Sequence, residues 1–306
     1  MKELNYEKVF NTLVEETANY VTSNGLKAMV LGISGGIDST VVAAICHEVS
    51  KKTGIPLIGR SLPIKNKSDE FDVSKLVGEA FCDEFKVFNL SDSYKASLFD
   101  LCADAGLIKD CKGYDWYWLS DLEELAGRTP IANGNIQARC RMIHLYDIAS
   151  IRKGLVMSTD NQTEYQLGFW TIHGDVGDFD PIQDLWKTEV YRLARWICDY
   201  YTMMSDGEDV DKIQAIRESV ALTPTDGLGI SNSDLEQIGA RTYYDVDRVL
   251  QTLICKASPE NDKLQDSLEQ ELGREVVHKI IKRHTASEFK RKKAPIYIPR
   301  KEYEND

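Results

Sequence analysis

Val9, Phe10, Leu13, Val14 and Val21 recur at helical spacing near the start of the chain and predict an amphipathic helix. The pattern then shortens. Met29 to Leu31 with Ile33 predict a buried strand over Lys27–Ile33, whereas Val41, Val42 and Ile45 return to helical spacing and predict a helix to about Lys51. Between them "SGGIDS" places two glycines, an aspartate and two serines where strand turns into helix. Glycine is free to take positive φ there, and N–H groups converging on a helix start form an anion cradle.

Further along, "GIPLIGRSLP" and "EFKVFNL" predict two more strands, with a helix over "SDEFDVSKLVGEAF" between them, capped at Ser68. A helix over "GNIQARCRMIHLYDIASIRKG" leads into a fourth strand, "GLVMSTD". Strands alternating with helices predict an α/β fold, an open parallel sheet with helices on both faces. Residues 100–130 fit neither period and read as a helical insertion or a mobile flap, with Trp116, Tyr117 and Trp118 taken as packing residues. Residues 284–306 read as a tail, basic and then rich in proline and acids, whose composition favours a solvated end. With no internal repeat, a single domain over 1–306 is expected.

Composition narrows the function classes. The chain has 306 residues, 42% of them hydrophobic, enough for a large core. No apolar stretch is long enough for a membrane helix, and the charged first residues do not resemble a secretory signal, so a cytoplasmic protein is expected. Seven scattered cysteines lack a C-x-x-C pair, which suits reduced thiols and offers no zinc spacing. The 37 Lys+Arg against 49 Asp+Glu give a net charge of −12, which disfavours a nucleic-acid partner and leaves room for a local basic site for a small anion.

The turn lacks the Gly-Lys-Ser/Thr ending of a Walker A loop. It resembles instead the S-G-G-x-D-S loop of the PP-loop ATP pyrophosphatases, which have an adenine-nucleotide alpha-hydrolase-like fold and split ATP into AMP and pyrophosphate. "GNIQARCRMIHLYDIA" is similar to the N-x-x-A-R-x-R-M helix of NAD synthetases. "STDNQTEYQLGFWTIHGD", "DPIQDLWKTEVYRLARWI", "TPTDGLGISNSD" and "TASEFKRKKAP" resemble that family's later motifs, in order, from Ala28 to Pro295. The resemblance is to ammonia-dependent NAD synthetase.

It implies that Gly32, Ile33, Ser34, Gly35, Gly36, Ile37, Asp38 and Ser39 bind ATP, with Thr159, Lys187 and Thr225. Asp38 and Glu164 would hold Mg2+, and Asp38 and Lys187 would be the catalytic pair. Arg139 and Asp178, or an acidic neighbour of Asp178, would contact deamido-NAD. Arg141, two residues from Arg139, faces elsewhere on a helix and reads as structural. Two departures fall on the dinucleotide side. Ile172 stands where many members have lysine, with His173 beside it, and Phe289–Lys290 replaces a frequent His-Lys pair.

The implied reaction amidates deamido-NAD with ATP and ammonia through an adenylated intermediate. Ammonia is the expected donor because no glutaminase-sized segment occurs in the sequence, unless a separate subunit supplies the nitrogen. Family members are homodimers whose dinucleotide site uses both chains, which suits a lid made from residues 284–306. Three rival readings stand beside this one: another PP-loop amidating ligase, an RNA-thiolating enzyme, and a non-catalytic nucleotide-binding module. The acidic charge weighs against the second. Joint retention of Asp38, Glu164 and Lys187 weighs against the third.

Overall fold

The computed structural model describes residues 3–64, 68–108, 118–204, 209–223, 233–254, 259–291 and 296–297. The first half runs α1 (Tyr6–Ser23), β1 (Met29–Gly32), α2 (Ile37–Thr53), β2 (Leu57–Ser61), α3 (Ser68–Phe81), β3 (Glu84–Val87), α4 (Ser91–Asp104), α5 (Leu119–Leu125) and α6 (Pro130–Arg152). There follow β4 (Leu155–Val156), α7 (Gln162–Leu167), β5 (Phe179–Asp180) and α8 (Lys187–Met204). The rest is helical: α9 (Val210–Ala221), α10 (Asp234–Ile238), α11 (Tyr243–Ile254), α12 (Pro259–Leu272), α13 (Arg274–Ala286) and α14 (Glu288–Arg291), closed by β6 (Ile296–Tyr297).

β1 to β4 form one parallel sheet in the order β3-β2-β1-β4, and β5 pairs in parallel with β6. Side chains alternate across a strand, so β1 feeds two cores. Met29 and Leu31 pack with Leu13 of α1, Val41 and Ile45 of α2, and Val190 and Leu193 of α8. Val30 faces the other way, towards Tyr94 and Leu98 of α4 and Met142 and Leu145 of α6. Helices thus cover both faces, which is the α/β arrangement that the sequence predicts. A third cluster joins Leu167 and Trp186 to Val246 and Leu250 of α11 and to Val277 and Ile280 of α13.

Two expectations change in detail. The fourth strand is short because the chain changes partner. Met157 N–H donates to the Val30 carbonyl (2.8 Å), and the next N–H, of Ser158, donates to that of Phe179 (2.8 Å). Residues 158–160 are thereby released at the carboxyl edge of the sheet. Within 100–130 the chain forms the end of α4, α5 and the start of α6. Trp118 is not a packing residue, being 79% exposed beside the start of α5, while Trp116 and Tyr117 lie outside the described residues. Of the expected lid, α14 and β6 are described, and 292–295 and 298–306 lie outside.

Candidate active site

β1 delivers the glycine turn to the carboxyl edge of the sheet, where ligands of open α/β folds bind. Gly35 takes φ +87°, a conformation that an L side chain rarely adopts. Gly36 is the N-cap of α2 and has no side chain to occupy the first N–H groups of the helix. The serines brace the turn: Ser34 Oγ and Ser39 Oγ lie 3.0 Å apart, and Gly36 N–H donates to Ser34 Oγ (3.2 Å). The Thr40 hydroxyl donates to the Gly36 carbonyl (3.0 Å) and bonds with Ser219 of α9 (2.7 Å), fixing the helix start from behind.

Asp38, in the first turn of α2, meets residues from two other elements. Lys187, at the start of α8, is 2% exposed, and its ammonium donates to Asp38 Oδ2 (2.5 Å) and Glu164 Oε1 (2.9 Å). Asn161 donates to the other Asp38 oxygen (2.8 Å) and also caps α7. Its Oδ1 accepts from Glu164 N–H (3.1 Å), while Glu164 Oε2 accepts from Asn161 N–H (3.3 Å). One Glu164 oxygen is therefore tied to the helix cap, and the other is aimed at Lys187. Burial by itself would lower the Lys187 pKa, but the Asp38 and Glu164 carboxylates outweigh it and hold the ammonium well above its ordinary value.

Two carboxylate oxygens converging on one cation are hard donors of the kind magnesium prefers, and Mg2+ commonly uses one or two carboxylates plus substrate phosphates. The pair fits the expected ion. The Lys187 ammonium offsets one of the pair's two negative charges.

The turn and this ion cluster open into a cavity of about 430 Å³, in the range of small-molecule sites. Gly32, Ile33, Ser34, Gly36, Ile37, Asp38, Ser39, Thr159, Glu164, Lys187 and Lys290 all line it, gathering most of the residues the sequence singles out. Gly35 shapes the turn without lining the cavity, and Thr225 lies outside the described residues.

The dinucleotide candidates are dispersed. Arg139 is exposed, donates to the Ile172 carbonyl (3.1 Å) and does not line the cavity. Asp178 also stays outside, accepting from the Tyr146 hydroxyl (2.8 Å) and Val156 N–H (3.0 Å). His173 (φ +55°) and Phe289 are exposed and away from it. Arg141 makes a structural bond of the kind expected, donating through Nε to the Leu62 carbonyl (3.0 Å), and it also lines the cavity.

Arg60, Arg283, Asp160 and Asp175 also line the cavity and are not singled out by the sequence, although Asp160 and Asp175 lie within the quoted "STDNQTEYQLGFWTIHGD". Asp175 is the acidic neighbour of Asp178 that reaches the site. It lines the cavity, and desolvation by the surrounding protein raises its pKa to about 6, against the N–H of Thr171 that favours the charge. Asp160 and Asp180 are pushed up too, first by burial and then by neighbouring acids. Lys290 closes the far wall, donating to the Gly168 (2.7 Å) and Trp170 carbonyls, and burial lowers its pKa. Among the described residues, the cavity thus sets five cations, Arg60, Arg141, Lys187, Arg283 and Lys290, among four acids, a lining suited to an anionic guest with a bound cation.

Comparison with known proteins points to one family. A family model described as NAD synthase matches residues 9–294. The NH(3)-dependent NAD(+) synthetases of Fusobacterium nucleatum and Pyrococcus furiosus are 29% and 30% identical to the chain, each match covering 95% of both proteins. The chain spans 45% of the length of the glutamine-dependent NAD(+) synthetase of Aquifex aeolicus, to which it is 29% identical. In fold it is similar to NMN synthetase from Francisella tularensis (TM-score 0.68, 22% identity, 97% of this chain and 100% of that one). It is likewise similar to the NH3-dependent NAD synthetase from Campylobacter jejuni (TM-score 0.62, 21% identity, the same coverage). With a family match along nearly its whole length, the chain belongs to the NAD synthase family.

Proposed function

We propose that the protein amidates deamido-NAD to NAD, using ATP and ammonia and releasing AMP and pyrophosphate. The observation that carries this reading is the meeting of Asp38, Glu164 and Lys187 at the mouth of the glycine turn. The turn presents N–H groups and hydroxyls to phosphate oxygens, and Lys187 adds a fixed positive charge. Asp38 and Glu164 would hold Mg2+, which when bound offsets charge on the leaving pyrophosphate.

In the first half-reaction the nicotinate carboxylate attacks the α-phosphorus, and the bond to pyrophosphate breaks. In the second, ammonia attacks the activated carbonyl carbon, loses a proton, and AMP departs with the electron pair of the broken C–O bond. No protein nucleophile is needed. The chain positions two anions in line and neutralises their charge. The match along 95% of two ammonia-dependent relatives supports ammonia as donor.

The decisive experiment offers ATP, Mg2+ and ammonium with deamido-NAD or with nicotinate mononucleotide, and identifies every product. NAD, AMP and pyrophosphate formed from deamido-NAD support the reading. Turnover of the mononucleotide alone moves the protein to the activity named for the Francisella relative. ADP as the main product removes the pyrophosphatase chemistry altogether. Glutamine, freed of ammonia, should not replace ammonium.

A further inference from the structure

Asp247 lies on α11, beyond the cavity lining and far along the chain from the glycine turn. It is fully buried, and a buried carboxylate must be compensated by donors. Here the donors come from both flanks of the ion cluster. Asp247 Oδ1 accepts from the Thr163 hydroxyl (2.5 Å), and Oδ2 accepts from the Thr188 N–H (3.0 Å) and hydroxyl (2.7 Å). Thr163 Oγ1 in turn accepts from the backbone N–H of Lys187 (2.9 Å).

Thr163 directly precedes Glu164, and Thr188 directly follows Lys187. One carboxylate therefore pins the start of α7 to the start of α8, one residue away from each functional side chain. It also receives one N–H, that of Thr188, at the positive end of α8, a service usually supplied by a residue of the helix's own cap. Because Asp247 packs on a helix whose Val246, Val249 and Leu250 belong to the third hydrophobic cluster, the cation-binding pair is braced by the C-terminal helices.

From this geometry we infer that Asp247 is a positioning residue for Lys187 and Glu164, setting their separation for the metal–nucleotide complex. The inference rests on the ATP reading above, and its test does not require the amidation step.

The probe is ATP with Mg2+, its affinity measured by calorimetry without the second substrate and across a Mg2+ titration. Asp247→Asn keeps the shape but turns an NH2 against one of the donors. ATP affinity should weaken by about tenfold or more, and half-saturation should require more Mg2+, as for loss of an outer partner of a metal site. Thr163→Val should shift both readings in the same direction by less, and Thr163→Ser, which keeps the hydroxyl, should behave as wild type.

An Asp247→Asn protein that melts earlier but keeps wild-type ATP affinity and Mg2+ demand overturns the inference, leaving only a structural role. Should that variant not fold, equal behaviour of Thr163→Val and Thr163→Ser overturns it instead. If wild type itself fails to bind ATP, the functional reading is what falls.

Discussion

At Lys187 a buried cation is held by two carboxylates that are themselves mostly shielded, with side-chain exposures of 3% for the lysine, 15% for Asp38 and 19% for Glu164. Removing the cation leaves two acids facing one another. Lys187→Met should therefore lose about 3 kcal/mol of stability, the low end for a broken buried pair. Mg2+ should restore part of that loss, because it can occupy the same focus. Urea melts with and without Mg2+ check this, and an indifferent response to the ion would contradict the assignment of Asp38 and Glu164.

Asp38→Asn and Glu164→Gln should each abolish turnover while leaving the fold intact, which circular dichroism and a pyrophosphate assay read together.

Asp247 adds a pH signature. Burial lifts its pKa to about 6, against the bonds from Thr163 and Thr188 that favour the charge. An acid with a raised folded-state pKa contributes stability below its unfolded value, near 3.9, and loses it as pH rises through the folded value. The unfolding free energy of wild type relative to Asp247→Asn should fall by up to about 3 kcal/mol between pH 4 and 7. A difference that stays flat across that range would mean that the carboxyl titrates normally.

Legibility at this scale was uneven. Glu164 carries a visible signal, the Asn161-x-x-Glu164 cap, as well as the motif. Arg139 and Arg141 show the limit. A helical wheel separates them, but only the packing of α6 on β1 decides which arginine enters the cavity.

The elements carrying the site depend on one tight crossing. Gly177 lies against the backbone of β4, and a Cβ there would sit 2.6 Å from the Val156 carbonyl oxygen and 2.7 Å from Met157 C and Ser158 N. Main chain cannot yield as a flexible side chain can. Gly177→Ala should cost about 3 kcal/mol, the upper range for overpacking. It should also weaken ATP binding, because the displaced segment leads directly to Thr159.

Gly25→Ala makes the control: φ is +66° but no atom lies within 4 Å of the added Cβ, so only about 1 kcal/mol of backbone strain is expected. Equal losses in the two variants, read from denaturant midpoints, would remove the steric argument.

The β1–turn–α2 unit was legible because hydrophobic period and turn chemistry change together within a few residues. The shortness of β4 was not, since it arises from the change of hydrogen-bond partner from Val30 to Phe179. That event lies between distant segments and leaves no local pattern.

Across the whole molecule, the residues that the sequence assigns to the nucleotide meet mostly in one cavity, and those it assigns to the dinucleotide do so only in part. The difference lies in where the residues point. Arg139 shares an outer face of α6 with Ile143, 72% exposed, and Tyr146, 39% exposed. No single-chain pattern tells an apolar solvent face from a subunit contact. A homodimer of the kind the family resemblance implies would give that face an occupant and Arg139 a route to substrate, through the cavity of a second copy.

The wild-type protein should then sediment at about twice its 34.6 kDa chain mass. Ile143→Asp should shift it towards the monomer. In the dimer, Arg139→Ala should raise KM for deamido-NAD by about tenfold, as loss of one charge-assisted contact would, with little change in KM for ATP. Arg141→Ala should now do more to ATP than to deamido-NAD, because Arg141 lines the cavity beside the β2 end. Sedimentation velocity and paired KM measurements decide the matter. A monomeric wild type with full activity, or an Arg139→Ala enzyme with unchanged KM values, would place Arg139 outside the reaction and leave the exposed face of α6 without a catalytic role.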